Sequence, residues 1–152
     1  MRAESKVKRH AKVAKHKLNL VIPALPQLTT IQRTCWVANA KKWLNLPQGL
    51  MEGTNKRVGL SFGVMATTQI QYAKALLKEA AGTGTNEGWD EIQQIINADE
   101  YLAANGGGST YGAGNYYIAF LGTPALTSTF EIQFGGRHLA FSNTYKDGVP
   151  TA

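Results

Sequence analysis

Cysteine is almost absent from this sequence: Cys35 stands alone in 152 residues, which excludes a framework of intramolecular disulfides. The chain also lacks an apolar run long enough to cross a bilayer as a helix. The apolar stretch 18–25 follows basic residues, as in a signal peptide, but Pro23 and Pro26 interrupt it and no small-residue cleavage site follows closely. We therefore predict neither a transmembrane segment nor a signal peptide, and the compartment stays open.

Charge is scarce outside one segment. Charged residues make up 17% of the chain and hydrophobic residues 43%, which suffices for a packed core. The formal net charge of +6 lies within residues 1–17, because the rest of the chain holds nine basic and nine acidic residues. We predict a basic, flexible arm at 1–17. The alternative is that the arm contacts an anionic partner through Lys8, Arg9, Lys12 and Lys15. If the chain binds nucleic acid, we expect this arm alone to do so, since a folded nucleic-acid reader usually carries basic charge on its own surface.

Apolar residues at helical spacing predict two helices, over 66–81 and 89–104. In the first, Thr67 or Thr68 is the expected cap and Gly82 the stop. In the second, acidic residues in the first turn complement the helix dipole. The apolar side of the first helix is formed by Ile70, Ala73, Leu76, Leu77 and Ala80, and that of the second by Ile92, Ile95, Ile96 and Leu102.

The segment 105–115 is rich in glycine and reads as a mobile loop, with a substrate lid as the alternative. The pattern argues against a phosphate-binding loop, because it lacks the Walker spacing and leads into a strand rather than a helix. From residue 116 the period changes to 2, which predicts strands at 116–122, 129–134 and 137–145. The predicted fold is therefore a single α+β domain over 28–152, with two main helices followed by a three-stranded antiparallel meander.

The last two predicted strands form a hairpin whose two-residue turn would be Gly135–Gly136. This turn places Gln133 opposite His138 and Glu131 diagonal to it. One face of the hairpin is apolar and should pack on the helices; its residues are Phe130, Ile132, Phe134, Leu139 and Phe141. The polar face carries Thr129, Glu131, Gln133, His138, Ala140 and Ser142.

We predict a ligand site on this polar face. His138 would act as the acid–base or hydrogen-bonding group, and Glu131 would orient it as a second catalytic residue. Gln133, Arg137 and Ser142 would contact the ligand, and the guanidinium of Arg137 would suit an anionic one. A solvent-facing hairpin with a surface histidine is the alternative. One histidine does not make a metal site, so no metal is expected.

The run 116–141, with YYIAFLGTP in its first strand and GGRHLAF after the turn, resembles the domain-of-unknown-function family 3500. Family members typically show a YY-x-A-x-x-G-x-P strand and a later GHHLA, and the stretches 43–47 and 57–60 also fit the pattern. The resemblance covers roughly 28–146. Where the family commonly has a His-His pair, this chain has Arg137–His138.

Family members are about twice as long, so the chain resembles an amino-terminal half. The resemblance implies that a partner chain or a second copy completes the sheet, or that this is a shortened relative. It implies no reaction and no particular cofactor.

Two functions remain open from the sequence. One is a small-ligand-binding or enzyme-like domain with its site around His138. The other is a non-enzymatic binding or assembly module that uses the basic arm on nucleic acid, lipid or an acidic protein.

Overall fold

The structure is a computed structural model that describes residues 57, 59–85 and 88–151. The predicted basic arm at 1–17, Cys35 and the stretch 43–47 lie outside these ranges, so the predictions made for them stay predictions. Within the described ranges the chain is an α+β fold, with helices before the main strands and an antiparallel sheet, as the sequence predicts.

Both predicted helices are confirmed. Helix α1 spans Thr67–Ala81 and helix α2 spans Trp89–Leu102. The expected threonine cap on α1 is wrong: the helix begins after Ala66, whose N–H donates to the Gln69 side chain at 2.8 Å. Gly82 follows α1 with φ of 84°, a conformation that glycine adopts without strain, so the predicted stop is right.

Among the residues that the structure describes, the sheet has five strands rather than the predicted three. Their order is β1-β2-β3-β4-β5, and every neighbouring pair is antiparallel. The additional strands are two residues long and lie at the two edges, where the alternation is too short to give a signal. The strands are β1 at Leu60–Ser61, β2 at Tyr117–Leu121, β3 at Thr129–Gly136, β4 at Leu139–Lys146 and β5 at Val149–Pro150.

The turn between β3 and β4 is not Gly135–Gly136, so the predicted register is wrong. Gly136 pairs with Leu139, and the two turn residues are Arg137 and His138. Gly136 stays inside the strand because the ring of Tyr116 lies across it: a Cβ there would meet ring carbons of Tyr116 at 2.4–2.7 Å. The turn moves to the next two residues, and His138 takes φ of 57°.

Each residue of the hairpin strands still lies on the face predicted for it, because moving the turn by two residues does not change which side chains alternate onto which face. The predicted apolar face is therefore confirmed, with Phe141 half-buried and its other members buried. Side chains of both helices pack in the same core cluster. Its buried members from the helices are Ala73, Leu76, Leu77, Ile92 and Ile96, and from the sheet Ile118, Phe120, Phe130, Ile132, Phe134, Leu139 and Tyr145.

Candidate functional site

His138 lies in the β3–β4 turn and is exposed to solvent. The predicted pairing with Gln133 is wrong, since Gln133 pairs with Ser142. Glu131 lies five residues before the end of β3, roughly 16 Å along the strand from the turn. The geometry on which the pair of Glu131 and His138 was predicted is thus absent, and their catalytic roles stay predictions.

The other predicted residues of the polar face do come together. The carboxylate of Glu131 accepts a hydrogen bond from the amide of Gln133 at 2.8 Å and a longer one from the hydroxyl of Thr144 at 3.4 Å. Ser142 is the cross-strand neighbour of Gln133. Glu131, Gln133 and Thr144 are thus hydrogen-bonded to one another along the middle of the hairpin, away from the turn that holds His138.

Arg137 links the turn to the end of helix α2. Its Nη1 donates to Oδ1 of Asp99 at 3.0 Å, across a sequence separation of 38 residues. The Asp99 side chain is 3% exposed and that of Arg137 is 21% exposed, so the ion pair is buried on one side and partly solvated on the other. A pair in such a position fixes the guanidinium more firmly than a surface pair would.

The glycine-rich segment 105–115 lies against the same ion pair. The guanidinium of Arg137 lies over the ring of Tyr111, with its central carbon 4.5 Å from the ring centroid. Gly112 donates its N–H to Oδ2 of Asp99 at 3.1 Å, and Ala113 donates to Oε1 of Glu100 at 2.6 Å. Gly112 has φ of 105°, which a residue with a side chain rarely adopts. Consecutive carboxylates at the end of α2 therefore hold the segment in place.

The hydroxyl of Tyr116 completes this cluster by donating to the carbonyl of Arg137 at 3.2 Å. Burial raises the pKa of the Tyr116 phenol, and the negative charge of Asp99 adds to the effect. Burial also lowers the pKa of the Arg57 guanidinium, against the smaller opposing effects of Tyr117, Tyr116 and Asp99. The contacts around the end of α2 thus join one guanidinium, one carboxylate, two tyrosines and a backbone amide. We call these residues, Asp99, Tyr111, Gly112, Tyr116 and Arg137, the turn cluster.

Arg137 retains one donor that the fold does not use. Among the described residues, its Nε is the one buried side-chain nitrogen or oxygen atom without a hydrogen-bond partner. A buried donor in this state costs roughly 1–3 kcal/mol, and native structures contain few of them. The turn cluster can therefore offer an additional donor to a ligand.

Sequence analysis predicted Arg137 but missed Asp99, Tyr111 and Tyr116. For Asp99 a signal was present: Ile92, Ile96 and Asp99 recur at i, i+4 and i+7, which places the acid on the buried side of α2. A carboxylate at such a position requires a partner. No comparable signal identifies Tyr111, because its contact with Arg137 depends on the conformation of the glycine-rich segment.

The described ranges contain no cluster of three or more His, Cys, Asp or Glu side chains that could hold a metal ion. They also contain no helix of the length and apolarity needed to cross a membrane.

Comparison with known proteins supports the resemblance seen in the sequence. Residues 4–152 match the family model described as "Protein of unknown function (DUF3500)". The chain belongs to this family. The match begins at residue 4, within the basic arm, and so extends well beyond the roughly 28–146 over which the sequence resembles the family. No curated protein and no solved structure matched the chain.

Proposed function

We propose that this DUF3500 chain binds a small molecule at the β3–β4 turn, where Arg137 contacts the glycine-rich segment and His138 is the other turn residue. The observation that carries the proposal is the state of Arg137. Its guanidinium is held by Asp99 and Tyr111, yet its Nε has no partner. Fixed polar groups that converge on one place are typical of ligand sites.

His138 contributes to the proposed site through its position rather than through a partner. It follows Arg137 in the turn, and it is exposed and therefore available to a ligand. The left-handed conformation at this residue is uncommon for residues other than glycine, although histidine adopts it more often than most. We propose that the imidazole supplies a hydrogen bond to the ligand, and a proton in the event that a reaction follows.

A thermal-stability screen of the full chain tests this proposal. The panel should contain anionic, neutral and cationic metabolites, and each compound should be tested on the wild type, Arg137→Lys and His138→Ala. A ligand at a hundredfold excess over its Kd should raise Tm by about 5–10 °C. We expect a smaller shift in both variants. The proposal fails if no compound stabilises the wild type, or if both variants respond as strongly as the wild type does.

The basic arm supports a second candidate function. All of the net charge of +6 lies within residues 1–17, whereas the rest of the chain is neutral. The arm would then bind an anionic partner such as nucleic acid, lipid headgroups or an acidic protein. For DNA, a plot of log affinity against log salt should have a slope no steeper than about −6. Binding that is independent of salt, or unchanged after deletion of 1–17, would exclude this function.

A further inference from the structure

We propose that the group recognised at the turn is a carboxylate, bound side-on by Arg137 beneath a cover formed by the glycine-rich segment. This inference rests on the proposed function, because it names the chemical class of the ligand for the same site.

The first argument is the unused Nε donor of Arg137. A guanidinium has five N–H donors arranged as a planar fork. Asp99 accepts from Nη1 at 3.0 Å, whereas Nε is buried and has no partner. On the edge of the guanidinium that carries Nε, the Nε–H is parallel to an N–H of the adjacent terminal nitrogen. The spacing of these two N–H groups matches that of the two oxygens of a carboxylate. A planar carboxylate can therefore satisfy the unused donor and form a second hydrogen bond at the same time.

The second argument is that the guanidinium is already held in place. Asp99 fixes it from the end of α2, Tyr111 covers one of its faces, and Tyr116 holds the backbone carbonyl of the same residue. A long side chain that is immobilised before binding loses little entropy when the ligand arrives.

The third argument concerns access. Nε is out of contact with solvent, and Tyr111 lies on the guanidinium. The ligand would reach Nε when the segment that carries Tyr111 moves aside. Glycines with positive φ stand on both sides of this residue, at Gly108 and Gly112, where the backbone can rearrange at little steric cost.

Nuclear magnetic resonance of the 15N-labelled full chain tests the inference with acetate as the probe. We expect acetate to shift the Arg137 Nε–H resonance saturably, together with the amide of Gly112. Sodium chloride at the same ionic strength should leave both resonances in place. Inorganic phosphate should act more weakly than acetate, because its larger negative charge is repelled more strongly by Asp99, whose Oδ1 lies 3.0 Å from Nη1 of the same guanidinium. An unmoved Nε–H resonance in acetate would overturn the inference, as would a stronger response to phosphate.

Variants identify the residue that binds. Arg137→Lys keeps the positive charge but removes the fork, so we expect acetate to bind about tenfold more weakly, the loss of one charge-assisted hydrogen bond. Lys78→Gln, on the exposed side of α1, removes a positive charge elsewhere and should leave acetate binding unchanged. Equal binding by Arg137→Lys and the wild type would refute the inference.

Tyr111→Ala covers the case in which Arg137→Lys fails to fold. Without the ring of residue 111, the Nε–H of Arg137 should exchange faster with solvent, and its resonance should shift at lower acetate concentrations. An unchanged exchange rate would refute the proposal that the segment carrying Tyr111 covers Nε.

The outcome for the inference can be separated from that for the proposed function. A neutral compound that stabilises the wild type and shifts the resonances of His138, while acetate leaves Arg137 unmoved, would retain the ligand site and reject the carboxylate. Failure of both acetate and the whole metabolite panel would reject the site itself.

Discussion

Replacement of Asp99 by asparagine tests whether the ion pair holds the turn cluster together. Asparagine keeps the shape of the side chain and can still accept the hydrogen bond from Gly112, but it removes the charge that faces Arg137. Loss of one partner of a fully buried pair costs about 3–5 kcal/mol, and loss of a surface pair costs about 1 kcal/mol at most. Since Asp99 is buried and Arg137 is partly exposed, we expect Asp99→Asn to lower the free energy of unfolding by about 2–3 kcal/mol.

A double-mutant cycle separates the ion pair from the other effects of the substitution. Arg137→Met removes the charge but keeps most of the apolar stem. The single variants and the double variant should be unfolded in urea, with circular dichroism as the readout. We expect a coupling energy of about 1–2 kcal/mol between the two positions. As a matched control, Asp90→Asn removes an exposed acid from the first turn of the same helix and should cost no more than about 1 kcal/mol.

Two results would contradict this reasoning. A coupling energy within error of zero would mean that the two side chains do not act as a pair in solution. An equal loss of stability in Asp99→Asn and Asp90→Asn would mean that the buried acid has no role beyond that of an ordinary helix carboxylate.

Three further predictions concern the hairpin and its surroundings. Gly136→Ala should lower the free energy of unfolding by about 1–3 kcal/mol, because the new methyl group meets the buried ring of Tyr116. Gly114→Ala is the control: its nearest contact is at 3.4 Å, so it should change stability by less than about 0.5 kcal/mol. Equal urea midpoints for the two variants would refute the close contact between Gly136 and Tyr116. His138→Val should have a free energy of unfolding about 1–2 kcal/mol lower than that of His138→Asn, because a β-branched residue tolerates φ of 57° poorly. Equal stabilities of the two variants would indicate that residue 138 has the extended backbone of a strand. Burial raises the pKa values of Tyr116 and Tyr145 above the ordinary 10.0, so these phenols ionise at lower pH in the unfolded chain than in the folded one. The free energy of unfolding should therefore fall as pH rises above about 10. Tyr116→Phe should make this fall shallower, and a variant with the same pH profile as the wild type would contradict the prediction.

Sequence periodicity was sufficient to predict the helices and strands that are long enough for their apolar pattern to repeat several times. Both helices were predicted because their apolar residues recur at helical spacing, and the apolar face of the hairpin because alternation survives a shift of two residues. The strands at Leu60–Ser61 and Val149–Pro150 are too short to show alternation. The second of these could still have been inferred, since Asp147–Gly148 is a favoured turn pair and both residues have positive φ.

The register of the hairpin could not be predicted from the local pattern. Gly135–Gly136 has the composition of a tight turn, but the ring of Tyr116, which precedes the neighbouring strand, occupies the space above Gly136. This contact joins residues 20 positions apart in the sequence, so a prediction from turn composition and local alternation does not include it. The same holds for the candidate site: Arg137 was predicted from its chemistry, whereas its partners come from α2 and from the glycine-rich segment.

The position of the β3–β4 turn decides which residues form the site, so cross-strand nuclear Overhauser contacts are the most direct test of the account. With Arg137–His138 as the turn, contacts should join Phe134 to Phe141 and Gln133 to Ser142. Contacts from Phe130 to Phe141 and from Gln133 to His138 would instead place the turn at Gly135–Gly136. That result would contradict the account, because Arg137 would then lie in the strand opposite Phe134 and outside the turn.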